Sequence, residues 1–243
     1  MVLAAGAGTR LRPLTRLRPK PLCPVGDRPL VDHALDRLAP VTGSVAVNVH
    51  HGRVQMEAHL AGRAHLSVEQ PRILGTAGAL GALRDWIDGR PTLLTYADAW
   101  LEADLADLVD GWDGERVRML TVPDPDRGDF GDARNCGAVL LPWSVVRGLA
   151  AEPSGLYRLV WGPAHAEGRL ELITHLGHFV DCGTVADYLA ANLTWSGGAP
   201  VIGAGADVEG VVERTVVWPG ALVHRSEHLV DAVRADELTV LVR

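Results

Sequence analysis

The stretch Leu3-Ala4-Ala5-Gly6-Ala7-Gly8-Thr9-Arg10-Leu11-Arg12-Pro13-Leu14-Thr15 decides the fold. Val2 to Ala5 is a short apolar run ending in Gly6-Ala7-Gly8-Thr9, the pattern of a buried first strand that enters a glycine loop. Pro13, Pro19, Pro21, Pro24 and Pro29 exclude a continuous helix through residue 29, so Arg10 to Arg28 is expected to be largely loop held close to that strand. A glycine loop after a strand lets backbone N–H groups close on phosphate oxygens without a Cβ in the way. Arg10 and Lys20 from the same stretch would neutralise the phosphate charge. On the residues alone two readings stand, a polyphosphate site or a tight turn with a solvated basic loop. The stretch is not a P-loop, because G-x-x-x-x-G-K-[ST] is missing. It also lacks the third glycine and downstream acid of a dinucleotide fingerprint.

Outward from this start, apolar spacing alternates between strand and helix. Leu30, Ala34, Leu35 and Leu38 have helical spacing and Val45 to Val49 follows as a strand; Val54 to Leu60 reads as a helix and Leu66 to Val68 as a strand. Gly75-Thr76-Ala77-Gly78 opens a small-residue helix expected to run through Leu83 and Trp86, and Thr92 to Tyr96 is a central strand delivering Ala97-Asp98 to its end. Val117 to Val122, Gly137 to Leu141, Arg169 to Thr174 and His178 to Val180 are further strands; Ala186 to Asn192 is a helix, and Asp124 to Asp132 a solvated loop. Such alternation predicts an α/β fold, a mostly parallel sheet covered by helices on both faces, with ligands outside the carboxyl ends of its strands.

Ser196-Gly197-Gly198 marks a boundary, giving a main domain over 1–197 and a short β-rich extension over 198–243. There Val211, Val217, Val223 and Leu229 are spaced by six, as in β-helix coils, while Ile202 and Val208 fall out of phase, so an irregular β-appendage fits as well. A valine-rich β tail also suits a homo-oligomer interface.

Composition narrows the partners. The chain has 243 residues with 23 basic and 30 acidic side chains, a net charge of −7 that disfavours nucleic acid as a partner. Hydrophobic content of 47% with 22% charged residues excludes disorder. Cys23, Cys136 and Cys182 lie far apart with no C-x-x-C pair, so no disulfide framework or cysteine zinc site is suggested and a reducing cytoplasm fits. The apolar stretch before Arg10 is too short for a signal-peptide core or a membrane span, so no membrane is expected as a partner. Lys20 is the only lysine, which points to a role needing a compact ammonium.

Asp98 and Asp181 both follow strands, and a pair of hard oxygen ligands suits Mg²⁺ with positions left for phosphate oxygens and water; an aspartate at a strand end is equally a helix N-cap or turn former. Leu74 to Gly78 has small residues against which a flat base or sugar ring would lie, or it is a tightly packed helix start. Glu69 and Gln70 precede it, either reading a base or standing exposed in a loop. His50 and His51 are adjacent and would point to opposite faces of a strand, so they do not form a metal pair.

Residues 3 to 30 resemble the signature of the sugar-1-phosphate nucleotidyltransferases, the NDP-sugar pyrophosphorylase family: L-A-A-G-x-G-T-R-L-x-P-L-T, then Pro19-Lys20-Pro21-Leu22, then Pro24-Val25 and Pro29-Leu30. The resemblance returns at Leu74-Gly75-Thr76-Ala77-Gly78, Ala97-Asp98, Asn135-Cys136-Gly137, Asp181-Cys182-Gly183-Thr184, Asp187-Tyr188 and Ala191-Asn192, covering about residues 1–195. It implies a Rossmann-like domain that transfers a nucleotidyl group from a nucleoside triphosphate to a sugar 1-phosphate, forming an NDP-sugar and pyrophosphate with Mg²⁺.

Carried over by motif, Arg10 would hold the triphosphate and Lys20 the attacking or α-phosphate. Leu3, Ala4, Ala5, Gly6, Gly8, Thr9, Gly75 and Thr76 would bind the nucleotide, Gly78, Asn135 and Gly137 the sugar, and Asp98 and Asp181 the metal. The compact length resembles enzymes pairing GTP with mannose or heptose 1-phosphate, or UTP with N-acetylmuramate 1-phosphate. The family's Asn-Gly-Asp is Tyr96-Ala97-Asp98 here, and no acid stands in Ser154 to Leu159, where many relatives carry a sugar-binding glutamate. Two other readings follow from these departures and from the shared N-terminal motif: a catalytically weak nucleotide-sugar-binding regulatory subunit, and a cytidylyltransferase acting on a phospho-alcohol.

Overall fold

The computed structural model describes residues 1–242, which form two compact units. The first comprises Met1–Gly6, Ala34–Ala97 and Leu101–Phe179; the second comprises Ala7–His33, Asp98–Trp100 and the chain from Val180 onward. Among the described residues no helix is long and apolar enough to cross a membrane.

The first unit is built on a seven-stranded sheet in the order Leu170–Thr174, Val117–Pro123, Ala133–Leu141, Thr92–Tyr96, Val2–Leu3, Ala46–Val49, His65–Val68. Val2 pairs in parallel with both Val47 and Thr95, which makes the first strand central and explains its apolar run: a parallel strand with neighbours on each side and helices above and below is buried on both faces. Only Ala133–Leu141 runs against its neighbours. The α/β expectation therefore holds, as a mixed, mostly parallel sheet. Leu3, Asn48 and Ser67 lie side by side in register, so the chain leaves the sheet at Ala4, His50 and Glu69 on one common edge.

Several boundaries differ from expectation. The helix that begins at Gly75 ends at Ala82, and Arg84–Ile87 is a separate short helix. Leu83 interrupts it because its N–H bonds back to the Leu80 and Gly81 carbonyls, tightening the last turn. The strand expected from Gly137 begins at Ala133 and carries a bulge: pairing passes from Leu120↔Ala138 to Thr121↔Asn135, leaving Cys136 and Gly137 out of the ladder.

In the second unit, the proline-rich segment is not plain loop. It holds three 3-10 turns, Thr9–Leu11, Leu14–Arg16 and Lys20–Leu22, each as short as the flanking prolines require. The helix Val185–Trp195 starts with a capping box in which Thr184 Oγ1 accepts the Asp187 N–H and Asp187 Oδ2 accepts the Thr184 N–H, both at 3.1 Å. The C-terminal strands form one sheet in the order Val201–Ile202, Val211–Val217, His228–Ala235, Leu238–Leu241, and a second ladder of Asp207–Val208 with Leu222–Val223.

Val201 pairs in parallel with Val216, and Val211 with His228, so each coil of the chain lies on the one before, as in a short β-helix. Of the sixfold positions, Val217, Val223 and Leu229 turn into this coil's small core, whereas Val211 is exposed. Leu238–Leu241 then pairs antiparallel with His228–Ala235. Trp218 and Tyr188 are the largest fully buried side chains in the unit's main core, which also holds Trp100.

Candidate functional site

In the second unit the sole lysine meets both nominated carboxylates. Lys20 Nζ lies 3.4 Å from Asp98 Oδ2 and 3.8 Å from Asp181 Oδ1. The lysine is buried, 6% exposed, while the Asp98 side chain is largely exposed and that of Asp181 partly so. A buried ammonium is tolerated only with partners. Two carboxylates on one ammonium leave surplus negative charge at the exposed side of the cluster, which suits a further cation.

The backbone sets this geometry. Cys182 donates its N–H to the Asp98 carbonyl at 3.2 Å, which puts the two aspartate-bearing segments side by side. Asp181 is the last residue of the strand Phe179–Asp181 rather than the residue after it, and the following helix is capped by Thr184, so Asp181 is not an N-cap. The 3-10 turn Lys20–Leu22 fixes the lysine.

Gly8 packs against that turn with φ +58°; a Cβ there would stand 2.9 Å from Thr15 Cγ2 and 3.1 Å from Lys20 Cβ. Thr15 Oγ1 donates to the Gly8 carbonyl at 2.9 Å and closes the loop. On the far side, Tyr188 Oη donates to the Pro24 carbonyl and accepts the Trp218 Nε1–H at 2.9 Å, while Asn192 Oδ1 accepts the Gly26 N–H at 3.0 Å. Tyr188 and Asn192, read in the sequence only as part of a motif, are therefore the anchors of the segment that follows Lys20. Burial pushes the Cys23 and Cys182 thiols up to about 12 and the Tyr188 phenol well above its ordinary value.

Arg10 is exposed and makes no ion pair among the described residues. Its guanidinium lies against Gly183, where a Cβ would stand 3.0 Å from Nη2. A cation with its charge unspent, held against Gly183 two residues after Asp181, suits a polyanion.

Thr9 opens the 3-10 turn Thr9–Leu11 in the second unit, and the first unit holds the remaining nominated residues. Leu3, Ala4 and Ala5 are buried, so this segment presents backbone rather than side chains. Gly6 is exposed, and a Cβ added there would meet nothing within 4 Å, so the fold itself gives no steric reason for a glycine. Ala4 donates its N–H to Asn48 Oδ1 at 2.7 Å, Asn48 Nδ2 donates to Glu69 Oε1 at 2.7 Å, and Glu69 Oε2 accepts the Leu74 N–H at 2.7 Å. Glu69 is 1% exposed, which corrects the expectation of an exposed loop residue. Asn48 was recognisable as the one polar residue in an otherwise apolar strand, and sequence reasoning passed over it.

His50 has a local task too, with Nδ1 2.8 Å from the Glu69 carbonyl. Thr76 Oγ1 accepts the Leu156 N–H at 2.8 Å, and Gly78 faces the Glu152 carbonyl so closely that a Cβ would stand 2.2 Å from it. The small residues of Gly75–Ala82 thus have a packing reason of their own. Asn135 Oδ1 accepts the Gly137 N–H at 2.9 Å within the bulge, and the Tyr96 ring covers Gly137. Arg37, also unnoticed in the sequence, is half-buried and donates to the Thr95 hydroxyl and the Tyr96 carbonyl at 3.3 Å and to the Leu101 carbonyl at 3.2 Å, tying the end of the central strand to the chain at Leu101. Burial lowers its pKa to about 10.

The donor set fits a hard divalent cation. Asp98 and Asp181 supply oxygen ligands only, and among the described residues no group of three or more His, Cys, Asp or Glu side chains gathers to enclose a metal. Two carboxylates with the remaining positions left to water and phosphate oxygens is the ligand pattern of Mg²⁺ at phosphate sites.

The chain is 38% identical over 135 residues to the N-acetylmuramate alpha-1-phosphate uridylyltransferase of Caulobacter vibrioides, covering 50% of this chain and 56% of that protein. It is 27% identical over 224 residues to the probable mannose-1-phosphate guanylyltransferase 1 of Oryza sativa subsp. japonica, covering 78% of this chain and 62% of that protein. The chain thus spans little more than half the length of these curated relatives. The crystal structure described as a mannose-1-phosphate geranyltransferase from Thermus thermophilus superposes with a TM-score of 0.73 at 17% identity, covering 99% of this chain and 93% of that one, a likeness of fold. Residues 1–133 match the sequence profile of the nucleotidyl transferases, and with more than half of its length in that match the chain belongs to the nucleotidyl transferase family.

Proposed function

We propose that the protein transfers a nucleotidyl group from a nucleoside triphosphate to a sugar 1-phosphate, releasing pyrophosphate. The observation that carries this reading is the cluster of Lys20 with Asp98 and Asp181, with the exposed guanidinium of Arg10 held against Gly183. The reaction is an in-line displacement: an oxygen of the sugar phosphate forms a bond to the α-phosphorus as the bond to the β-phosphate bridging oxygen breaks. Its barrier is largely repulsion between anions, and preorganised cations lower it. Arg10 binds the triphosphate and stabilises the departing pyrophosphate, and Lys20 holds the α-phosphate or the incoming phosphate. Asp98 and Asp181 hold Mg²⁺, which when bound screens the phosphate charge.

Leu3 to Gly6, Gly8, Thr9, Gly75 and Thr76 contact the nucleotide through backbone groups, and Gly78, Asn135 and Gly137 border the sugar. Residues 1–197 carry the transferase machinery. Residues 198–243, with Ile202, Val211, Leu222 and Leu241 exposed, carry contacts to a second copy of the chain. Three free, buried cysteines support a reducing cytoplasm as the working compartment. The names of the relatives support UTP with N-acetylmuramate 1-phosphate or GTP with mannose 1-phosphate as the substrate pair.

The test is pyrophosphate release with Mg²⁺, crossing the common nucleoside triphosphates against mannose, glucose, heptose, N-acetylglucosamine and N-acetylmuramate 1-phosphates. Release for one pair that disappears in Asp98→Asn identifies both substrates. Nucleotide binding without release across the whole panel sinks the enzyme reading in favour of a nucleotide-binding subunit.

A further inference from the structure

We propose that Glu69 is a positioning residue for nucleotide binding, acting through Asn48 and the Leu74 N–H. The inference rests on the reading of Leu3 to Gly6 and Gly75-Thr76 as nucleotide contacts. Ala4 is the first residue past the central strand, and its N–H has no ladder partner; Asn48 Oδ1 takes it at 2.7 Å. Leu74 precedes the helix Gly75–Ala82. Between them stands one carboxylate, 1% exposed, with one oxygen on Asn48 Nδ2 and the other on the Leu74 N–H, each at 2.7 Å. No cation pairs with it among the described residues.

A buried carboxylate without a countercharge is costly, and a neutral glutamine would satisfy a merely structural need for one contact. What a carboxylate alone supplies is two acceptors and no donor, which this site requires, because both groups facing it are N–H donors. Its two oxygens fix the spacing between the backbone that leaves the first strand and the backbone that opens the helix. Those are the two segments assigned to the nucleotide, so their spacing is set before the ligand arrives and the cost of ordering them on binding is removed.

The donor–acceptor pattern defines the test. In Glu69→Gln the new amide must aim its N–H₂ at one of the two existing donors, and the chain of bonds breaks at that point. In Asn48→Asp a second carboxylate faces the first. The double variant N48D/E69Q reverses the central bond: the amide introduced at position 69 donates to the carboxylate introduced at position 48. That carboxylate still accepts the Ala4 N–H, and the amide oxygen still accepts the Leu74 N–H. Every group is paired again at unchanged net charge.

Nucleotide affinity of the full chain is measured by calorimetric titration with each nucleoside triphosphate and Mg²⁺ in the absence of sugar phosphate. Turnover is followed in parallel. The expected result is a dissociation constant about ten- to hundredfold larger and a raised KM in E69Q and in N48D, kcat changed by less than about threefold, and recovery of affinity in the double variant. Should E69Q fail to fold, Glu69→Asp keeps the charge but is one methylene too short to reach both donors, and the same weakening is expected. Wild-type affinity in E69Q or E69D, or single variants that lose only thermal stability, overturns the positioning role. A wild-type protein that binds no triphosphate overturns the nucleotide site itself, and this role with it.

Discussion

Lys20 Nζ stands 3.4 Å from Asp98 Oδ2, a buried ammonium against a largely exposed carboxylate. That asymmetry separates position from chemistry: the lysine is held by the interior, while the aspartate remains open to a ligand. Lys20→Gln removes one preorganised cation and is expected to lower kcat about 10²- to 10³-fold with a smaller change in nucleotide affinity. Lys20→Arg should rescue little, because between Asp98 and Asp181 a guanidinium presents a planar fork instead of a point charge. Steady-state kinetics of the two variants checks this; an arginine variant with wild-type kcat would show that charge alone suffices.

Asp98→Asn and Asp181→Asn each remove one carboxylate from the pair proposed to hold the metal. Both are expected to weaken Mn²⁺ binding measured by electron paramagnetic resonance in the presence of nucleotide, by about tenfold or more, and to shift the Mg²⁺ requirement for turnover upward. The Asp181 variant should lose more of the lysine's order, since its carboxylate is the less exposed partner. Unchanged metal affinity in both would reassign the carboxylates to holding Lys20.

The hydroxyl of Tyr188 serves two partners at once, donating to the Pro24 carbonyl and accepting the Trp218 N–H at 2.9 Å. Tyr188→Phe leaves the buried indole N–H without an acceptor, so unfolding in urea is expected to show a loss of about 1–3 kcal/mol. Because the Pro24 carbonyl follows the Lys20 turn, kcat should fall along with stability. A destabilised variant with unaltered kcat would separate the anchor from the lysine's placement.

The buried thiols give stability a pH dependence. Cys23 and Cys182 have folded-state values raised from 9.0 to about 12 by burial. A raised acid binds more protons folded than unfolded, so its stabilisation is complete below pH 9 and lost as pH rises from 9 towards 12, at roughly 1.4 kcal/mol per pH unit for each thiol. Urea midpoints measured from pH 8 to 10.5 should fall more steeply in the wild type than in Cys23→Ala. Native protein at pH 8 should resist thiol reagents until unfolded.

How much was legible in the sequence depended on the range of the interaction. The central strand, the glycine loop and the strand ends at Tyr96 and Val68 follow from local apolar runs and breakers, and those were readable. The three 3-10 turns between Thr9 and Leu22 were hidden because prolines say where a helix cannot run, without saying what tight turns replace it. Lys20, Asp98 and Asp181 were nominated by motif, yet their meeting on one ammonium rests on the Cys182–Asp98 backbone bond, which joins distant segments. The bonded roles of Glu69 and Arg37 could not be read from the sequence. A lone charged residue near a strand or on a helix looks solvated, and only the assembled sheet shows Glu69 buried, Arg37 half-buried and both bonded to backbone.

Gly6 and Gly8 lie two residues apart in one loop and separate what the fold needs from what the ligand needs. Gly8 has φ +58° and no room for a Cβ, so Gly8→Ala is expected to cost about 1–3 kcal/mol of stability and lower the Tm by several degrees. Gly6 has open space on its Cβ side, so Gly6→Ala should melt with the wild type. If that open space is where a phosphate meets the backbone, the added methyl obstructs the approach and raises the dissociation constant for the triphosphate about tenfold or more. Thermal melts and nucleotide titrations on the same two proteins decide the matter: a stable Gly6→Ala that binds nucleotide normally would remove Gly6 from the site, whereas a stable variant with weakened binding would show that this glycine is present for the ligand alone.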